Sequence, residues 1–192
     1  NGTTYILIKT VLAVGDALVY SHTLGWMVID AAGGSKHGIT ISEEVATTSG
    51  TAVDFTGIPP GVKRITVLFN GVSLSGSSNI LVQLGTAGGC ETTAYSGSSA
   101  THSAPATNYT TGFGVSMNTS AYAVTGSMTI NLQKPSAFAW VAGLVWGSGS
   151  ANITGFGGFS KSLSAELTQL RFTTLNGTDT FDLGAVTVIL EW

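Results

Sequence analysis

Met128-Thr129-Ile130-Asn131-Leu132-Gln133 alternates apolar and polar side chains without a break. Successive side chains on a strand point to opposite faces, so this period of two marks a sheet with one face buried and one face wet. The same alternation recurs on both sides of it. Within 62–69, Ile65, Val67 and Phe69 oppose Arg64 and Thr66. Ile80, Val82 and Leu84 interleave with Leu81 and Gln83, and Leu170 and Phe172 with Arg171 and Thr173. Val186, Val188, Leu190 and Trp192 close the chain opposite Thr187 and Glu191. Strands of this kind, joined by turns, predict an all-β fold: an antiparallel β-sandwich of jelly-roll-like class.

Turn residues punctuate the strands. Pro59-Pro60-Gly61 precedes one strand and Asn70-Gly71 is placed to end it, while Asn176-Gly177 joins the last two. The Gly-, Ser- and Thr-rich stretches 86–111 and 147–161 read as loops. The segment 162–170 fits a helix through Leu163, Leu167 and Leu170, and a strand through Leu163, Ala165 and Leu167. Residues 1–48 differ in character. They hold a strand candidate at Tyr5–Val11, one or two around Gly25 within 18–29, a turn-rich break at 31–35 and a short strand at 38–42. A linker is expected at 47–51. The expected organisation is therefore 1–48, a connector to an upstream shaft or extra strands of the sandwich, followed by a main domain over 49–192.

Of 192 residues, 7 are basic and 10 acidic, against 43% hydrophobic; soluble domains carry roughly 25% charged residues. A monomer so short of charge lacks strongly hydrated surface, which predicts burial against copies of itself. The run 138–146 points the same way. It places Phe138, Trp140, Leu144 and Trp146 on one face and Val141 and Val145 on the other, and a strand apolar on both faces is buried on both. Phe138, Trp140, Val141, Val145, Trp146 and the terminal Trp192 are the interface candidates.

The net charge of −3 and scattered basic residues give no nucleic-acid footprint. No apolar run nears the roughly 18–20 residues of a spanning helix, and the strands are short for a membrane barrel, so no membrane insertion is expected. Cys90 stands alone and makes no intrachain disulfide.

Enzyme motifs are absent: there is no G-x-S-x-G, no G-x-x-x-x-G-K-[ST], no H-E-x-x-H and no G-x-G-x-x-G. His22, His37, His102 and Cys90 have no zinc spacing, and no metal or other cofactor is expected. Glu43 and Glu44 are adjacent and point apart on a strand; Asp179 and Asp182 read as turn caps. Neither supplies the acid pair that glycoside hydrolysis needs. The expectation is a protein without catalytic activity. Tyr95, Tyr109, Phe113, Phe156 and Phe159 lie in or beside the Gly/Ser-rich stretches, where exposed rings stack on sugars and covered rings staple loops.

Asp54 to Ser73 (DFTGIPPGVKRITVLFNGVS), Leu81 to Gly85, Gly88-Gly89, Glu91 to Tyr95, Gly126 to Ile130 and Leu170 to Leu190 together resemble, in order and spacing, a module of bacteriophage tail fibre and tailspike proteins. The resemblance covers about 50–192 and leaves 1–48 unmatched. It implies a β-rich virion protein, made in the host cytoplasm, trimeric, at or near the distal end of a fibre or spike. The implied partners are two further copies, other tail proteins and a bacterial surface polysaccharide. It assigns no catalytic residue. A purely structural connector or capsid-decorating protein, and part of a polysaccharide depolymerase spike, are the alternatives.

Overall fold

A computed structural model describes residues 38–192 together with the strand segments 17–21 and 25–29. The chain divides into two compact units, 1–38 with Trp192, and Ile39–Glu191. In the first, β1 (Ala17–Ser21) and β2 (Gly25–Ile29) form an antiparallel hairpin with Ala17 opposite Ile29 and Ser21 opposite Gly25. The strand expected at Tyr5–Val11 and the break at 31–35 lie outside the described residues.

The second unit is all-β. Its strands are β3 (Ile39–Ile41), β4 (Val45–Ala46), β5 (Ala52–Thr56), β6 (Arg64–Leu74), β7 (Ile80–Thr86), β8 (Gly89–Cys90) and β9 (Tyr95–Thr101). They continue as β10 (Ala104–Asn108), β11 (Phe113–Val115), β12 (Val124–Lys134), β13 (Ala139–Ser148), β14 (Ile153–Ser162), β15 (Gln169–Thr174) and β16 (Phe181–Glu191). Every pairing is antiparallel. The large sheet runs β10-β9-β14-β13-β12-β6-β16-β3, with β4 also on β16; the small one runs β11-β7-β15-β5, with β8 beside β7.

The alternating runs put their apolar halves between the sheets. Ile65, Val67 and Phe69 of β6, Met128 and Ile130 of β12, and Val186 and Val188 of β16 are buried from the large sheet. Val82, Leu84, Leu170 and Phe172 meet them from the small one. Phe69 contacts Phe172 edge-on, ring centres 6.2 Å apart. Each such ring contributes about 1.5–3 kcal/mol through burial, and each edge-on pair about 0.5–1.5 kcal/mol more.

Several expectations change. The stretches 86–111 and 147–161 are strands for much of their length, because every second residue of β9 and β14 faces inward and the Gly and Ser between them need no burial. Asn70-Gly71 does not end its strand. It forms a bulge inside β6, where Gly71 (φ +66°) faces Gly184 of β16 (φ +88°). Residues 47–51 are no linker: Thr47 is fully buried and its N–H and Oγ1 donate to the carbonyls of Gly184 and Leu183 at 2.8 Å each. The boundary accordingly moves from 48/49 to 38/39, because β3 and β4 pair with β16 and belong to the large sheet. Residues 163–168 are neither helix nor strand; Leu163 and Leu167 plug the core from a connecting loop. Asn176-Gly177 is a tight turn, its Asn176 Oδ1 accepting the N–H groups of Thr178 and Asp179 at 3.0 Å.

Two glycines on the same strand differ sharply. A Cβ at Gly155 would sit 2.2 Å from Trp146 Nε1, whereas one at Gly158 would meet nothing within 4 Å. Gly155→Ala should therefore cost about 1–3 kcal/mol by overpacking, and Gly158→Ala should stay within about 0.5 kcal/mol of wild type, both read from thermal or denaturant unfolding.

Candidate functional site

Four of the five ring candidates for sugar stacking are core residues. Tyr95, Tyr109, Phe113 and Phe159 are all buried, because each occupies an inward position on or beside a Gly/Ser-rich strand. Tyr95 stacks edge-on against Phe113 at 5.3 Å, Phe113 meets Phe159 at 5.4 Å and Phe159 meets Tyr109 at 6.3 Å. Tyr95 Oη accepts the Leu84 N–H at 2.7 Å and donates to the Glu91 carbonyl at 3.0 Å. Tyr109 Oη shares a hydrogen bond with Ser116 Oγ at 2.7 Å. These rings join the sheets and offer no face to a ligand. Phe156 alone points outward, at 57% exposure.

Beside Tyr95 lies the most enclosed ion pair among the described residues. Lys161, almost wholly buried, places Nζ 2.5 Å from Glu91 Oε2, 3.0 Å from the Thr93 carbonyl and 5.1 Å from the Tyr95 ring centre. Glu91 Oε1 also accepts the Ser164 N–H at 2.8 Å and Oγ–H at 2.6 Å. Burial alone would raise the Glu91 carboxyl, but the hydrogen bonds from Lys161 and Ser164 outweigh it and hold it below its ordinary value. The pair thus ties loops 91–94 and 163–168 to β14.

Three further acids, Asp54, Asp179 and Asp182, are tied as well. Asp54 accepts from both Arg171 Nε and Nη2, at 2.7 and 2.8 Å, and that hydrogen bonding lowers its carboxyl. Asp179 accepts the Ser78 N–H at 2.8 Å, and Asp182 accepts the Ser73 hydroxyl. Burial raises the Cys90 thiol, which disfavours the thiolate a nucleophile needs. Among the described residues no three His, Cys, Asp or Glu side chains converge as metal ligands. His22 and His37 lie outside the described residues; His102 accepts the Thr154 N–H through Nδ1 at 3.3 Å.

The interface candidates separate by face. Trp140 and Trp146 alternate with Val141 and Val145 along β13, and both tryptophans turn inward and are buried. They are removed from the interface set, because their own protomer already covers them. Phe138 is half-buried just before β13, in a left-handed conformation (φ 45°, ψ 37°) that caps the turn Pro135–Ala137. Trp192 is half-buried, its N–H reaching the Gly38 carbonyl at 3.4 Å.

Val141 and Val145 face outward, and the strand register extends them into a wide surface. One row runs Phe156, Val145, Ser127, Leu68, Thr187 across β14, β13, β12, β6 and β16. A second runs Gly158, Gly143, Thr129, Thr66, Ile189, Ile41, and a third Ser160, Val141, Asn131, Arg64, Glu191, Ile39. Adjacent strands lie roughly 4.8 Å apart, so residues in a row are direct neighbours across the sheet. Six of the eight large apolar side chains exposed among the described residues stand on this face: Ile39, Ile41, Leu68, Val141, Val145 and Phe156. The only charges in the rows are Arg64 and Glu191, which cancel in a pair with Nε–Oε1 at 2.7 Å.

Sequence periodicity divides β13 into its two faces but does not say which one the protomer covers. Compared with known proteins, the chain matches no family model, no curated protein and no solved structure.

The Glu91 carboxylate, held below its ordinary value, stabilises the fold above its unfolded-state pKa, and that contribution is lost as pH falls through the lowered folded value. Glu91→Gln should cost about 3 kcal/mol near neutral pH, the low end for breaking a buried pair. Unfolding curves of variant and wild type should converge as pH drops from 6 towards 3.

Proposed function

We propose that this chain is a non-enzymatic structural module of a bacteriophage tail fibre or tailspike, a jelly-roll-like β-sandwich that assembles as a homotrimer in the virion and serves attachment to a host surface glycan. The observation that carries assembly is the outer face of the large sheet. Exposed apolar patches of this extent mark interaction sites, and the cores of such interfaces are depleted in charge. A second copy is the fitting occupant: a neutral, apolar, hydroxyl-rich face offers no charge pattern for steering an unrelated partner, while closed symmetry buries one patch on every subunit at once. The threefold count and the tail setting rest on the resemblance of residues 54–190. Three tips on one rigid body then multiply weak glycan contacts by avidity.

A purely structural connector or capsid-decorating role is the second reading, favoured by the burial of Tyr95, Tyr109, Phe113 and Phe159. The depolymerase reading is the weakest, since Asp54, Glu91, Asp179 and Asp182 each have a structural partner.

Light scattering of the purified chain should give three times the monomer mass. Val145→Lys combined with Phe156→Lys should give a monomer with unchanged circular dichroism, because both side chains are exposed in the protomer. A wild-type monomer at all concentrations contradicts the assembly. A wild-type trimer that no bacterial strain in a broad panel retains favours the connector.

A further inference from the structure

Glycine weakens a strand interior, and where one persists it often marks a place that something approaches closely. For several strand glycines here that something is the protomer itself. A Cβ at Gly97, Gly126, Gly155 or Gly184 would lie 2.2–2.4 Å from a backbone oxygen or the Trp146 indole. Gly71 and Gly89 instead hold positive φ, at +66° and +116°. Gly143 and Gly158 have neither reason: neither has a positive φ, and a Cβ on either would meet nothing within 4 Å. They stand directly opposite each other on β13 and β14, and both are exposed.

Alternation around the pair shapes a socket on the outer face. Val145 and Phe156 flank it on one side, Val141 and Ser160 on the other, and Thr129 and Ser98 close its ends. At the far end of the same rows, Ile39 and Ile41 project from β3, the last strand of the sheet, at 67% and 63% exposure. β3 lies four strands from β13, roughly 19 Å at 4.8 Å a step, so this projection cannot fill the socket of its own chain. A ring of three joins unlike patches of neighbouring subunits. We propose that the partner subunit's Ile41 seats on the bare backbone of Gly143 and Gly158, between Val145 and Phe156, so that each copy gives one projection and receives one. The inference rests on the assembly reading above and names the residues that meet.

A second copy suits the socket better than a glycan does. Sugar sites need polar groups converging on the ligand, whereas the backbone groups of this floor are already paired in the β13–β14 ladder. An aliphatic side chain needs no such partners, and a floor without Cβ atoms lets it seat deeper against Val145 and Phe156. Charge raises no obstacle. Arg64 and Glu191, the charges beside β3, neutralise each other within the protomer, so docking this end of the sheet buries no unpaired ion.

The test fills the socket without touching the protomer. Gly143→Val enters open space on an extended strand, so its circular dichroism and its unfolding midpoint below the assembly concentration should match wild type or improve. Light scattering should show the midpoint concentration for assembly raised at least roughly 10-fold, the scale of an overpacked contact. Ile41→Ser should have the same effect from the other side. Val145→Cys combined with Ile41→Cys, treated with a short bismaleimide, should give covalent dimers and trimers. Either single variant, each retaining Cys90, should give neither. A wild-type trimer that survives Gly143→Val, with the cysteine pair unlinked, overturns the socket and leaves assembly standing. Linking by Val145→Cys alone shows like meeting like and overturns the head-to-tail contact. Normal assembly of Gly143→Val with lost retention on bacterial cells assigns the socket to a glycan and overturns it too. A wild-type monomer overturns both readings.

Discussion

The two sheets are joined by rings that reach out of strands otherwise built from glycine and serine. Tyr95, Phe113, Phe159 and Tyr109 form a continuous chain of ring contacts, edge-on except for the tilted Phe113–Phe159 pair, linking β9, β11, β14 and the residue after β10, and Phe69 with Phe172 repeats the device at the centre. The glycines are the counterpart of the rings. A Cβ at Gly114 would lie 2.3 Å from the Tyr109 ring, and one at Gly97 would lie 2.5 Å from Phe159. Large side chains and bare backbone are thus paired position by position. That pairing lets a chain with few long aliphatic runs at its Gly/Ser end still close a dry core.

Closing the core commits half of every strand to the opposite side, and this constraint shapes the outside of the molecule. Most globular sheets hydrate their outer face with Lys, Glu, Arg and Asp. Here that face carries Val145, Phe156, Leu68, Ile39 and Ile41 among serines and threonines, with one self-cancelling charge pair. The low charge of the whole sequence is therefore not spread evenly. It is concentrated as an absence on the outer face of the large sheet. Charged side chains that do occur among the described residues tie the fold internally: Lys161 with Glu91, Arg171 with Asp54 across β15 and β5, and Asp179 with Ser78.

Periodicity made the central strands legible. Ile65-Val67-Phe69, Met128-Ile130 and Val186-Val188 are buried as their alternation requires. Strands such as β9 and β14 were illegible, because an alternation of Gly or Ser with a single aromatic carries almost no hydrophobic period, and small polar residues favour turns and strands alike. The rings inside them were misread for the same reason. Once 86–111 is taken as loop, Tyr95 and Tyr109 become surface candidates. The Asn70-Gly71 bulge shows a third limit: turn chemistry records a left-handed residue but not whether the chain reverses after it. Residue order offers Phe138 and Trp140 only as interface residues, since neither a left-handed φ nor an unpartnered indole N–H leaves a trace in it.

The central claim is that the outer sheet face is covered by another copy of the chain. Hydroxyl-radical footprinting of the native protein, read by mass spectrometry, reports side-chain exposure directly. Within one protomer Phe156 is 57% exposed and Phe113 fully buried. The account predicts that Phe156 is oxidised as slowly as Phe113. Rapid oxidation of Phe156, with Phe113 protected, would show the face open to water and contradict it.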